Sequence, residues 1–289
     1  MKILISGATG NVGIEVIKAI EATDHPYQVY AGLRDVKKKE IGLDQFPNIQ
    51  RREFDFDKTS DFQTYLKNID VLFLLRPPHI SDVKNHFQPL IDAATAVGVQ
   101  HIVFLSVQGV EKSSIIPHHK IEKLIEQSGL AFTFLRPSYF MQNFTTTLRK
   151  DIIEKNRVFL PAGKAKFNLI DVRDVGEVAA KVLINPSEHK NKAYDLTNAE
   201  QMDFSKMCNM LSRGIGRKID FVSPNLLSFF LQKRKEGMAT PFILVMIMLH
   251  YLPRFQKTSP TSDWVEKLLG RPPNTFKEFV EKEKAVWLK

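Results

Sequence analysis

Three glycines at three-residue spacing, Gly7, Gly10 and Gly13, stand between a short apolar run and an amphipathic stretch at the head of this chain. Ile3, Leu4 and Ile5 read as a strand buried on both faces. Val12, Val16, Ala19 and Ile20 keep one apolar face at helical period. Strand, glycine turn and helix in that order form a βα unit whose helix N-terminus faces the turn. Free backbone N–H groups and the helix dipole at that end favour a phosphate. The glycines provide a tight turn, close approach of backbone to a pyrophosphate and close packing of helix on strand. The turn Gly7-Ala8-Thr9-Gly10-Asn11-Val12-Gly13 therefore reads as a phosphate cradle. The bland alternative is a structural turn with no ligand.

The alternation continues. Residues 27–33 read as a second strand ending in Arg34-Asp35, where a dinucleotide fold meets the adenosine ribose. A carboxylate there holds a 2′-hydroxyl and an arginine accommodates a 2′-phosphate, so Arg34 favours NADP(H) over NAD(H). Asp35 is the rival, and a solvated arginine is the bland reading. Residues 50–54 read as a third strand ending at Asp55, whose carboxylate either meets an adenine or caps a helix starting near Lys58. Residues 70–75 are a fourth strand, stopped by Arg76-Pro77-Pro78. Residues 81–97 are helical and end at Gly98. Residues 101–106 are a fifth strand ending in Ser106, and residues 131–135 a sixth. Between them Pro117 opens a helix closed by Gly129, with His118 and Glu122 on one face. Alternating short apolar strands and helices predict an α/β, Rossmann-like, doubly wound parallel sheet. Ligands of such sheets sit beyond the carboxyl ends of the strands, where Gly7, Arg34, Asp55, Arg76 and Ser106 all fall.

Length and composition fit this reading. The chain has 289 residues, room for one large domain and a smaller lobe. We expect a dinucleotide-binding core over residues 1–155. Residues 156–289 then form a mixed region that returns to the core and builds a substrate-side lobe, mainly helical toward the C-terminus. The formal charge of +9 suits an anionic ligand, whereas zinc spacing, an aromatic RNA-binding motif and a basic arm are absent, which argues against nucleic acid. One cysteine, Cys208, permits no intrachain disulfide and suits a reducing cytoplasm. The first strand starts at once, leaving no room for a signal peptide, and the most apolar run, residues 242–249, is too short to span a bilayer. No cluster has metal-ligand spacing, and no Gly-x-Ser-x-Gly nucleophile motif is present.

The glycine turn, the Phe104-Leu105-Ser106 strand end and the Leu135-Arg136-Pro137 to Phe140-Met141-Gln142-Asn143 segment resemble the NmrA-like branch of the atypical short-chain dehydrogenases. Residues 168–178, with their Asp-Val-x-Asp-Val element, and Leu268-Leu269-Gly270-Arg271-Pro272-Pro273 resemble it too, so the likeness covers most of the chain. The branch includes NADPH-dependent quinone oxidoreductases of type 2, isoflavone-type reductases and regulators that bind the dinucleotide without turning it over. The resemblance implies NADP(H) binding, with Phe140 and Asn143 on the nicotinamide side. The wider superfamily uses a Tyr-x-x-x-Lys pair. Here Ser114 takes the tyrosine place and His118 the lysine place, which argues against a nucleotide-sugar epimerase or dehydratase, whose chemistry needs an acid/base phenol. Hydride delivery to a quinone-like or conjugated carbonyl acceptor is less demanding; a dinucleotide-sensing regulator is the competing class.

Three residues are read as candidates for the chemistry. Ser106 would bond the nicotinamide ribose or an acceptor carbonyl, or else serve as a turn hydroxyl. His118 would bond the ribose or supply a proton at its near-neutral pKa, or else stand exposed in the first helical turn. Tyr139 would replace the missing phenol, although packing is the stronger expectation. Asp171 and Asp174 are expected to cap or orient the following helix. Residues 203–214 and 275–287 read as helices. The apolar, Met-rich stretch 221–248 is core, a cover for a flat hydrophobic acceptor, or a homodimer or regulator-docking face.

Overall fold

The structure, a computed structural model, describes residues 1–38 and 41–288. It divides into two units. The first comprises Met1–Pro137, Val172–Leu196 and Trp264–Arg271; the second comprises Ser138–Asp171, Thr197–Asp263 and Pro272–Lys289.

The first unit starts with strand β1 (Lys2–Ile5), helix α1 (Asn11–Glu21), β2 (Gln28–Leu33) and the short α2 (Ile41–Asp44). There follow β3 (Ile49–Glu53), α3 (Phe62–Leu66), β4 (Val71–Leu75) and α4 (Val83–Ala96). Then come β5 (His101–Leu105), α5 (Pro117–Gln127) and β6 (Ala131–Pro137). The chain next gives the second unit β7 (Tyr139–Phe140), α6 (Arg149–Lys155), β8 (Arg157–Phe159) and β9 (Phe167–Ile170). It rejoins the first unit for α7 (Val172–Ile184) and β10 (Lys192–Leu196). The second unit resumes with β11 (Gln201–Met202), α8 (Phe204–Ile215), β12 (Asp220–Val222), α9 (Leu226–Lys235) and α10 (Thr240–Tyr251). Helix α11 (Trp264–Leu269) belongs to the first unit and α12 (Phe276–Glu283) to the second.

Among the described residues the first unit holds a seven-stranded sheet in the order β10-β6-β5-β4-β1-β2-β3, with every pairing parallel. The order reverses direction at β1, so β1 and β4 flank the switch point where such sheets bind ligands. All five residues of β5 are buried, as the covering of a parallel sheet on both faces requires. Asp82 caps α4 by accepting from the Asn85 N–H, and Gly98 stops the segment with φ +82°. Strand β10, an outer strand next to β6, has no counterpart in the sequence reading. Its Ala-Tyr-Asp-Leu alternation is too short to stand out without its neighbour.

Helix α7 packs directly on α1: a side chain on Gly176 would come within 2.7 Å of the Glu15 backbone. The second unit gathers an aromatic core in which Phe144, Phe204, Phe276, Phe279 and Trp287 are all buried, and the Trp287 indole donates to the Phe144 carbonyl at 2.9 Å. The C-terminal segment departs from one continuous helix over 275–287: α12 stops at Glu283 and a 3-10 turn follows. That turn carries Trp287 to its buried place. Thr275 caps α12 reciprocally with Glu278. No helix among the described residues is long and apolar enough to cross a membrane.

Replacing Gly176 with alanine should force α1 and α7 apart at a cost of about 1–3 kcal/mol, the range for overpacking a tight contact. Thermal unfolding of Gly176→Ala should therefore start several degrees lower than in the parent chain; an unchanged midpoint would contradict the close packing.

Candidate functional site

The first unit brings five of the expected residues to the carboxyl edge of its sheet. Gly7 follows β1 with φ +63°, a conformation that favours glycine. Its carbonyl accepts from the Gly10 N–H at 2.9 Å and closes the turn. A side chain on Gly13 would lie 2.2 Å from that carbonyl, so the first turn of α1 can sit this close only with glycine there. Helix α1 starts at Asn11 with Gly10 as its cap residue, no side chain bonds its first N–H groups, and its first turn holds no acid. Thr9, Gly10 and Asn11 are exposed, while Val12 and Gly13 are buried. An uncapped helix start with exposed backbone can hold an anion.

Arg34, one residue past β2, is exposed and has no carboxylate partner among the described residues. Asp35 accepts from the Lys37 N–H at 2.9 Å, which ties one of its oxygens into its own turn. Asp55 does the same, accepting from the Asp57 N–H at 3.0 Å. The expectation that Asp55 caps a helix near Lys58 is therefore corrected. The next helical turn starts at Thr59 and has no side-chain cap, because the Asx turn uses the carboxylate first.

Arg76, past β4, spends one guanidinium nitrogen on the loop that follows it. Nη1 donates to the carbonyls of Pro77, Pro78 and Ile80 at 3.0, 3.2 and 2.6 Å. Its Nε donates to His118 Nε2 at 3.4 Å, and the His118 ring stacks on Phe104 with centroids 6.0 Å apart. His118 is thus neither exposed nor poised near neutrality. Burial, helped by the Arg76 charge, pulls its pKa down to about 3. An imidazole that accepts at Nε2 carries its proton on Nδ1, an assignment made from the bonding partner. Ser114, at the position of the family's tyrosine, is exposed in the turn before α5.

Ser106 sits just past β5, 2% exposed, and its hydroxyl has no hydrogen-bond partner among the described residues. The turn-hydroxyl reading would give that oxygen a local partner. A buried hydroxyl left unbonded is costly and marks a place where a ligand atom fits. Nearby in sequence, Glu122 is buried and receives both Nε and Nη2 of Arg136, at 3.0 and 2.7 Å. This forked pair joins α5 to β6. Residue spacing shows neither partner, because the contact joins a helix face to a strand end.

Tyr139, Phe140 and Asn143 belong to the second unit. Tyr139 packs against Phe167 and Phe204, and its hydroxyl lies 3.2 Å from His250 Nε2. His250 Nδ1 lies 2.7 Å from the Met246 carbonyl, so Nδ1 donates there and Nε2 accepts the Tyr139 proton. Burial raises the phenol's pKa, an effect the Asn143 side chain partly opposes, and holds His250 near 4. Phe140 pairs with Ile170 where β7 meets β9. Asp171, immediately before α7, accepts from Gln142 at 2.7 Å; Asp174, fully buried in the first turn of α7, accepts from Arg271 at 2.8 Å.

The model of the NmrA-like family matches residues 1–268. A prestalk A differentiation protein from Dictyostelium discoideum is 28% identical, the match covering 97% of this chain and 92% of that protein. An NAD(P)H azoreductase from Xenophilus azovorans is 29% identical, covering 99% of each. The triphenylmethane reductase of a Citrobacter species, solved in complex with NADP(H), superposes with a TM-score of 0.84 at 25% identity, covering 98% of this chain and 99% of that one.

The state of His118 has a checkable consequence. Its folded pKa, about 3, lies below the ordinary 6.5, so the unfolded chain takes up the proton first as pH falls. Stability should then be full above about pH 6.5 and drop on acidification toward 3, with His101 and His250, both near 4, acting in the same direction. His118→Gln should shallow that drop by about 2 kcal/mol between pH 7 and 5, measured by urea unfolding. An unaltered slope would mean that the ring titrates normally.

Proposed function

This chain belongs to the NmrA-like family, and from that premise we propose that it is an NADP(H)-binding oxidoreductase that passes hydride to a flat, conjugated acceptor. The observation that carries the reading is the uncapped, acid-free start of α1 behind a glycine turn that leaves no room for a side chain at Gly13. That is a built anion cradle, and it fits a pyrophosphate. Arg34, exposed and without a carboxylate partner among the described residues, suits a 2′-phosphate; Asp35 is already partly engaged. The unbonded Ser106 hydroxyl supplies a polar contact past β5 for the cofactor's far half or for the acceptor. We assign Asp55 to the adenosine side, and Phe140 and Asn143 to the nicotinamide side, on the family resemblance.

When bound, NADPH supplies the hydride. The protein's part is to orient and to exclude water. Arg76 fixes the loop past β4, and burial, helped by the Arg76 charge, keeps His118 neutral. Neither His118 nor Tyr139 is a ready acid at neutral pH, since the imidazole is neutral and the phenol, its pKa raised by burial, donates its O–H to His250. Acceptors that take hydride without an enzyme acid suit this site: quinones and azo compounds, which take a proton from water afterwards, and cationic triarylmethane dyes, which need none. Oxidation of a sugar hydroxyl needs a tuned base and does not suit it.

A second reading, a non-catalytic NADP(H) sensor, draws on the same lack of an acid. Steady-state NADPH oxidation with a panel of quinone, azo and triarylmethane acceptors separates the two. Turnover supports the reductase, and tight NADPH binding without turnover on any acceptor supports the sensor. Arg34→Ala should weaken NADPH by about ten- to a hundredfold, the range of a charge-assisted hydrogen bond, while NADH changes little. Equal weakening of both in titration calorimetry would remove the 2′-phosphate assignment.

A further inference from the structure

Between its Thr240-Pro241 start and His250-Tyr251 end, α10 reads Phe-Ile-Leu-Val-Met-Ile-Met-Leu, apolar on every side. Such a helix is ordinarily enclosed. Here only Ile243, Met246 and His250 are buried, at three- and four-residue spacing. The opposite side, Phe242, Leu244, Val245, Met248 and Leu249, lies open, with Leu244 54% and Leu249 49% exposed. Leu252 and Phe255 extend it into the following 3-10 turn. On α9, which packs beside α10, Leu227 and Leu231 also stand out, one helical turn apart.

Two observations say what covers this face. The first is charge. Residues 221–262 carry five lysines and arginines and a single acid, Glu236. That acid is paired with Lys155 and Lys233. Lys233 is itself buried on Asp151, which leaves Arg234, Lys235, Arg254 and Lys257 exposed. The second is a cleft of about 720 Å³ past the C-terminal end of α10, lined by Lys164, Lys166, Arg254, Ser223 and Thr258 with no carboxylate among its described lining.

We propose that this face seats the protein on an anionic lipid bilayer. The apolar residues enter the boundary between headgroups and acyl chains, the exposed cations meet lipid phosphates, and the basic cleft takes one headgroup phosphate. The helix has 12 residues, about 18 Å of length, so it lies along the interface rather than across it. A second copy of the chain fits less well. An isologous pairing would set this basic face against itself, with no free carboxylate in the stretch to answer it.

Vesicle flotation of the full chain tests the proposal. Wild type should float with mixed phosphatidylcholine–phosphatidylglycerol vesicles, scarcely with phosphatidylcholine alone, and less as salt rises. Two variants separate the contributions: Leu244→Glu with Leu249→Glu, and Lys164→Glu with Arg254→Glu. Each should lower partitioning at least about tenfold while leaving the melting temperature and NADPH affinity close to those of wild type. Failure of wild type to float with the anionic vesicles overturns the proposal, as does equal flotation with neutral ones. A dimer in light scattering that Leu244→Glu with Leu249→Glu dissolves, with vesicle binding unchanged, would assign the face to a second copy instead.

Discussion

The carbonyl oxygen of Gly7 occupies the space that a side chain on Gly13 would need, 2.2 Å from where its Cβ would stand. Around that contact the carboxyl edge of the sheet is arranged. It lets α1 start directly against the turn after β1, so the helix's positive end and its unbonded N–H groups are delivered to the switch point of the strand order. Gly176 repeats the device on the far side of α1, where α7 lies against the Glu15 backbone. The helix is therefore gripped at two glycines. Its exposed first turn is left bare of cap and acid, an arrangement that costs stability unless an anion or water satisfies it.

The remaining chemistry of that edge comes from charges that are spoken for and two groups that are not. Arg76 and His118 hold one another in fixed states: the guanidinium is tied to three carbonyls, and the imidazole beside it is neutral because burial and a nearby cation both oppose its proton. The forked Arg136–Glu122 pair locks α5 to β6 in the same way. Against this background the Ser106 hydroxyl and the Arg34 guanidinium stand out, neither with a partner among the described residues. A site of this kind positions a reactive cofactor and does little acid–base work of its own.

The second unit solves a different problem. Its aromatic core buries Phe204, Phe276, Phe279 and Trp287, and Tyr139 with His250 completes one edge as a hydrogen-bonded pair inside apolar surroundings. Helix α10 contributes one side to this core and keeps an equally apolar side outside. That asymmetry cannot arise from amphipathic patterning, because the helix has none. It is set by what the neighbouring segments cover.

The sequence by itself determined the alternation of strands and helices, the glycine turn, and the placing of Gly7, Arg34, Asp55, Arg76 and Ser106 just past strand ends. These depend on local period and backbone sterics, which a linear reading contains. Strand β10 and the broken C-terminal helix escaped it, since a short outer strand needs its partner and the end of α12 answers to the burial of Trp287. Tertiary structure alone decided which groups are ionised or engaged. His118 lost its charge to burial near Arg76, and Glu122 found Arg136 across a helix and a strand. Protonation and pairing are set by desolvation and by neighbours distant in the chain, and neither leaves a mark in residue spacing.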